Sequence, residues 1–390
     1  MLALTADLLR RAGHEVVPFA VAEEGTQPTP VRHLLPAAAD SEARTRFGEA
    51  WAGTWSLRSY RALADVVDEV RPDVAHVHHV FELLTTSVLD ALRRRGVPTV
   101  MTLHDYKPVC PNYRLFTEGG PCTRCLSGRY VEVVRHRCLE GARWRSVAAA
   151  ADAYAARARG LYDRVNLFLA PSRFLRDRVV EGGLCADRVR VLPNPVVAAT
   201  EPRGVPADPP FVLYAGRLVA EKGLDTLLDA AGRLPAGVRV RVAGSGRLEG
   251  QVRARVAADE LPVDVLGPLP SGDVAAVLRA AAVAVLPAVW WENCPMAVLE
   301  AAAQGVPVVA SAVGGIPELV EDGGTGLLIP PGDADALSGA LTRLLERPEE
   351  GARLGAAAWA RMRARHDPDA HVAGLLEAYA DLSPSANGRG

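Results

Sequence analysis

Two successive series of short, unbroken apolar runs dominate the chain, each run followed by a stretch of helical periodicity. In the first series the runs fall at 14–19, 73–78, 98–104, 165–170 and 188–192, with helical stretches such as 57–70 and 83–95 between them. Runs that are continuously Val- and Leu-rich, rather than alternating with polar residues, suit a parallel sheet covered on both faces. Residues 196–210 then carry four prolines and little periodicity, which reads as a linker. The pattern restarts with runs at 211–215, 238–243, 263–266, 283–286, 306–310 and 326–329, and helices at 224–233, 248–258, 272–281, 296–304 and 334–345. This predicts two doubly wound, Rossmann-like α/β domains, 1–197 and 205–365, with substrates held in the cleft between them at the carboxyl ends of the strands.

The 390 residues allow two or three domains of roughly 150 residues. The net charge of 44 − 46 = −2 supplies no global attraction to nucleic acid. No apolar run reaches the roughly 20 residues of a membrane span; the longest, 274–291, is broken by Arg279 and Pro287. The opening MLALTADLLRRAGHEV lacks the features of a signal peptide and reads as an amphipathic helix leading into a strand. A cytoplasmic chain is expected, its six cysteines thiols or metal ligands rather than disulfides. Only two lysines stand among 44 basic residues, Lys107 and Lys222. Against such an arginine bias, a retained lysine suggests a place where a compact ammonium works and a guanidinium does not.

The strongest motif is Trp291-Glu292-Asn293-Cys294-Pro295-Met296-Ala297-Val298-Leu299-Glu300, two glutamates with seven residues between them. Glu292 falls in the loop after a strand and Glu300 inside the following helix, so both can face a ligand held over the helix start, where free N–H groups favour phosphate. The second motif, Gly216-Arg217-Leu218-Val219-Ala220-Glu221-Lys222-Gly223, follows the first strand of the second domain. It places one forked and one compact cation at a strand end, as a diphosphate clamp requires. Gly314-Gly315-Ile316-Pro317-Glu318 reads equally as an anion nest or a plain tight turn. At the end of a first-domain strand stand His104 and Asp105; His78 and His79 end another.

Taken together, the glycine-arginine-leucine and Glu-Lys-Gly run, the spaced glutamates, Gly305–Val320 and His104–Asn112 resemble family 4 of the retaining glycosyltransferases, of the GT-B class, over about residues 1–380. The resemblance implies a nucleotide diphosphate sugar donor held mainly by the second domain, with a last helix near 367–382 crossing back onto the first. It further implies that Arg217 and Lys222 contact the donor diphosphate and that Glu300 binds the ribose hydroxyls. Glu292 and the backbone of Asn293, Cys294, Pro295 and Met296 would hold the sugar, Gly244 and the turn Leu266, Gly267 and Pro268 would sit near the base with Gly216 in the donor site allowing close backbone approach, and His104 would meet the sugar near its reacting carbon. Hexose transfer to a hydroxyl acceptor with retention follows, the leaving diphosphate acting as base; the alternative is a non-catalytic or truncated sugar-nucleotide-binding protein of the same fold.

Two Asp-x-Asp pairs, Asp333/Asp335 and Asp367/Asp369, flank predicted helix starts and read as caps, so no catalytic metal is assigned. Cys110, Cys122, Cys125 and Cys138 form C-x11-C-x2-C-x12-C, a set suited equally to a structural zinc ion, with His136 as substitute ligand, or to reduced loop thiols. The Arg-rich stretch 142–164 reads as a solvated helix or as a contact with an anionic membrane. The chain opens inside a helix, so the first strand and Gly-rich turn of the first domain are expected upstream of Met1, and the 390-residue form is expected to be poorly soluble or nearly inactive.

Overall fold

The computed structural model describes residues 1–22, 34–36, 55–80, 84–139, 141–204 and 206–382. The tail after Leu382, whose composition SPSANGRG predicts disorder, and the first residue of the 83–95 helix lie outside these. The second domain is a six-stranded, all-parallel sheet of β9 (Phe211–Ala215), β10 (Arg239–Ala243), β11 (Val263–Gly267), β12 (Val283–Leu286), β13 (Val308–Ser311) and β14 (Gly326–Ile329). Their spatial order is β11-β10-β9-β12-β13-β14. The strand order reverses between β9 and β12, the place where a doubly wound sheet opens a crevice for ligands. Val212, Leu213, Val283 and Val285 are buried on both faces of the sheet, which explains their unbroken apolar runs.

In the first domain, β3 (Ala75–Val77), β4 (Thr99–Thr102), β7 (Leu167–Ala170) and β8 (Val189–Val191) form a parallel sheet in that order. Two short pairs stand outside it: β1 (Ala20–Ala22) with β2 (Leu34–Pro36), parallel, and the hairpin of β5 (Phe116–Thr117) and β6 (Gly120–Pro121). The strand expected at 14–19 is not formed; after the helix Leu2–Arg11 the chain reaches its strand only at Ala20. Pro18 lacks the N–H that a ladder needs, and His14-Glu15 is a polar start for a buried strand.

The last helix, Pro368–Ala380, packs on the first domain: Leu375 and Ala378 share a buried cluster with Val100, Leu167 and Leu169, and Val372 packs against Leu8 and Leu9. Segment 196–210 is strapped to the second domain. Arg203 donates to the carbonyls of Ala281 and Ala282, Ala207 N–H to Ala280 O, and Trp359 Nε1 to Ala199 O. Among the described residues no helix is long and apolar enough to cross a membrane.

Candidate active site

Three adjacent strand ends are closed by glycines. Gly216 N–H donates to Ala243 O, and Gly244 N–H to Gly267 O, at 2.9 and 2.8 Å. A Cβ at Gly244 would stand 1.9 Å from Gly216 O, at a φ of +136°, so any side chain there would collide with backbone. The ends of β9, β10 and β11 thereby present bare main chain, with Leu266 and Arg217 exposed beside it.

The Glu-Lys-Gly turn packs onto the neighbouring strand end across the switch point. Val289 N–H donates to Glu221 O, and a Cβ at Gly223 would meet Pro287 O at 1.8 Å. This proximity brings Lys222 to the loop after β12: its Nζ lies 2.5 Å from Glu292 Oε1 and 5.6 Å from the centre of the Trp290 ring. The Glu292 side chain is 3% exposed and that of Lys222 14%. Two residues that the resemblance assigns to the diphosphate and the sugar therefore pair with each other. The second lysine, Lys107, instead bonds to Asp152 within the first domain.

The Gly314-Gly315 turn is committed to the protein itself. Gly315 N–H donates to Glu292 O at 2.6 Å, and Cβ atoms at Gly314 and Gly315 would strike Glu292 O and Asn293 O. It is a close-packed support for the Glu292 loop, the plain-turn reading rather than the anion nest. Glu318 reaches the other domain: its carboxylate accepts Arg173 N–H at 2.9 Å and Phe174 N–H at 2.7 Å, capping the helix Arg173–Glu181.

The two domains also meet at the first-domain loop. Asn293 Nδ2 donates to His104 O, and Tyr106 OH donates to Trp291 O at 2.9 Å. His104 and the Glu292 loop thus share one seam. Cys294 N–H donates to Asn293 Oδ1, while the Cys294 thiol is buried and pushed up to about 12 by that burial, which makes it packing rather than a nucleophile. Met296 starts the helix Met296–Ala303 with Pro295 at its cap, and Glu300 lies within it. Burial raises the Glu300 carboxyl above the ordinary value.

One buried carboxylate carries no separate signal in the sequence, while the two expected aspartate caps form. Glu221 is almost fully buried between Arg114 and Arg247, 3.5 and 3.6 Å away, and its Oε2 has no hydrogen bond. Asp333 and Asp367 accept N–H bonds from Ala336 and Ala370 and cap their helices. Among the described residues no group of three or more His, Cys, Asp or Glu side chains is placed to hold a metal ion, so the zinc expectation finds no assembled ligand set. Cys110 Sγ donates to Asn112 Oδ1, Cys138 Sγ to Thr117 Oγ1, Cys122 lies near Arg124, and Cys125 packs with Tyr130, Val133 and Ala150; His136 bonds to Glu118.

Two family models divide the chain: the one described as Glycosyltransferase Family 4 matches residues 2–199, and the one described as Glycosyl transferases group 1 matches 199–361. A D-inositol 3-phosphate glycosyltransferase of Mycobacterium avium is 35% identical over 223 residues, 54% of this chain and 52% of its own length. The putative colanic acid biosynthesis glycosyltransferase WcaL of Escherichia coli is 35% identical over 173 residues, 42% of this chain and 41% of its own. The chain spans about half the length of the curated relatives it matches. Among solved structures, sucrose-phosphate synthase from Thermosynechococcus elongatus superposes with a TM-score of 0.74 at 22% identity, over 98% of this chain and 92% of that one. Anabaena Alr3699/HepE in complex with UDP and glucose gives 0.62 at 21%, over 83% and 82%. With its paired parallel sheets and these matches, the chain belongs to glycosyltransferase family 4, carrying a group 1 glycosyltransferase domain behind it on a GT-B frame.

Proposed function

We propose that this chain is a retaining hexosyltransferase, moving a hexose from a nucleotide diphosphate sugar to a hydroxyl acceptor in glycan, glycolipid or secondary-metabolite synthesis. The observation that carries the reading is the Lys222–Glu292 pair at the switch point, bordered by the bare strand ends at Gly216, Gly244 and Gly267 and joined to His104 through Asn293. HepE, which shares this fold, is in complex with UDP-glucose, which supports a nucleotide sugar as the donor.

In this reading Lys222 and Arg217 take the diphosphate, and the start of the helix Met296–Ala303 adds its free N–H groups and dipole. As the bond from the anomeric carbon to the diphosphate oxygen breaks, negative charge grows on that oxygen beside two fixed cations. The acceptor hydroxyl enters from the same face and passes its proton to the departing diphosphate. Glu292 and the backbone of residues 293–296 orient the sugar, His104 meets it near the reacting carbon, and Glu300 takes the ribose hydroxyls. No cofactor enters the scheme. A screen of nucleotide sugars that reads released nucleotide, with and without acceptor, tests it. Acceptor-dependent release and a product with the donor's anomeric configuration are expected. Binding without release would move the chain to the non-catalytic reading, and an inverted product would overturn retention.

For location, the helix Arg143–Ala158 exposes Trp144, Val147 and Tyr154 along one stripe beside Arg143, Arg145 and Arg157. We read this stripe as a peripheral contact with an anionic bilayer, suited to a lipid-linked acceptor.

A further inference from the structure

Behind His104 the first domain assembles a row of imidazoles. His76 lies in β3, His78 just after it, and His104 just after β4, its hydrogen-bonded neighbour. His78 Nδ1 and His104 Nε2 are 2.8 Å apart, with rings stacked at 5.1 Å between centres and 25° between planes. The His76 ring stands 4.4 Å from that of His78. Its two nitrogens are both occupied, Nδ1 by Tyr379 OH and Nε2 by Thr102 Oγ1, each at 2.7 Å. Tyr379 belongs to the helix that crosses back from the end of the second domain.

These contacts restrict where the protons sit. Tyr379 OH and Thr102 Oγ1 hold the two nitrogens of a neutral His76, one of which donates its N–H while the other accepts. The charged and titratable groups facing the pair are His76, His79, His371, Asp105 and the chain's amino group. Burial outweighs them all, holding His76 at about 3 and His78 at about 2 and lowering His104. Two neutral imidazoles whose nitrogens stand 2.8 Å apart share one proton between them, one ring donating and the other accepting. The choice at His104 Nε2 fixes the opposite choice at its Nδ1, which is either a donor or an acceptor, never both.

We propose that His78 is a positioning residue for His104, locking it in one tautomer and one ring orientation so that its remaining nitrogen offers a fixed hydrogen-bonding character to the sugar. The functional half of this rests on the reading of His104 as a sugar-facing residue; the structural half does not. His76, Thr102 and Tyr379 hold His78 in place from behind.

The test uses the full chain labelled with 15N-histidine, in the absence of donor, with His78→Asn and His78→Leu beside the wild type. In wild type the two His104 ring nitrogens should show one protonated and one bare shift. In His78→Leu they should move toward the averaged values of two exchanging tautomers, and in His78→Asn, which restores a side-chain partner, they should separate again. Turnover should follow the spectrum: kcat falls by up to about a hundredfold in His78→Leu and recovers in part in His78→Asn, while donor KM moves little. Two comparable His104 tautomers in wild type, or unchanged His104 shifts in a folded His78→Leu protein, would overturn the proposal. A locked tautomer in a protein that releases no nucleotide from any donor would instead count against the transferase reading alone.

Discussion

Lys222 and Glu292, 70 positions apart in sequence, are joined by a 2.5 Å contact between Nζ and Oε1 across the point where the sheet order reverses. The two side chains are each other's charge partners, with Glu292 3% and Lys222 14% exposed. Breaking a pair this buried from one side leaves the other charge uncompensated, at a cost of about 3 kcal/mol. Lys222→Ala is expected to lose that much stability in urea unfolding and to lose about a hundredfold to a thousandfold in kcat. Lys222→Ala/Glu292→Gln should recover most of the stability and none of the turnover. A double variant with wild-type turnover would remove both residues from the site.

Arg217 provides the contrast. Its side chain is exposed at the strand end, so Arg217→Ala should change stability by no more than about 0.5 kcal/mol. Its kcat should nevertheless fall about a hundredfold, the loss of one preorganised cation at the leaving group. Equal turnover in variant and wild type would show that the diphosphate lies elsewhere.

How far the sequence foretells such features depends on how far apart the partners lie. β9 and β12 appear with their observed ends, because Phe211–Ala215 and Val283–Leu286 are buried on both faces and so read as apolar without interruption. The helix Pro348–Arg365 is not foreseen. Its Gly351 and Gly355 lower helix propensity, yet Gly355 serves close packing, since a Cβ there would stand 2.1 Å from Gly305 O. Lys222 and Glu292 stand out as candidates because each follows a strand and precedes a helix. Glu318 capping Arg173 and Phe174, 145 and 144 positions away, is not, nor is the His78–His104 pair, since neither follows any local period.

That Glu318 cap yields its own expectation. Ser172 already caps the same helix through Leu175 N–H, so Glu318 adds bonds to two further N–H groups. Glu318→Ala should lower stability by about 1 kcal/mol, and Glu318→Gln by less, because an amide oxygen can still accept one bond. Thermal unfolding of the two variants beside wild type gives the comparison; an unchanged midpoint in Glu318→Ala would show that the contact carries no net stabilisation.

The thiols divide by burial. Cys110 is pushed up to about 11 and Cys125 to about 12 by desolvation, as Cys294 is, while Cys185 is exposed. A thiol-reactive probe at pH 8 should label Cys185 first in the native protein and reach Cys110, Cys125 and Cys294 only on unfolding. Elemental analysis of the same sample checks the metal expectation. One zinc per chain, with Cys110, Cys122, Cys125 and Cys138 all protected, would show that the four thiols converge.

The membrane reading rests on Trp144, Val147 and Tyr154. The chain should co-sediment with anionic phosphatidylglycerol vesicles and not with neutral phosphatidylcholine vesicles, and Trp144→Ala/Tyr154→Ala should weaken that binding. Equal sedimentation with both lipids, or no effect of the double variant, would leave the stripe as a solvated helix face.

Glu300 offers a separation of binding from stability by pH. Burial is the larger influence on its carboxyl, and it raises the folded-state value above the ordinary 4.5. The native chain therefore holds this proton more tightly than the unfolded chain does. Stability contributed here is fully present below 4.5 and is lost as pH rises through the folded value. Above that folded value the carboxylate costs stability, which the proposed contact with ribose hydroxyls would offset on donor binding. Glu300→Gln should raise the urea midpoint at pH 7.5, leave it unchanged near pH 4, and weaken donor binding in calorimetry, since an amide keeps one acceptor and loses the charge. A variant less stable than wild type at pH 7.5 would show that the carboxylate is satisfied by the protein itself, and unchanged donor affinity would remove its ribose role.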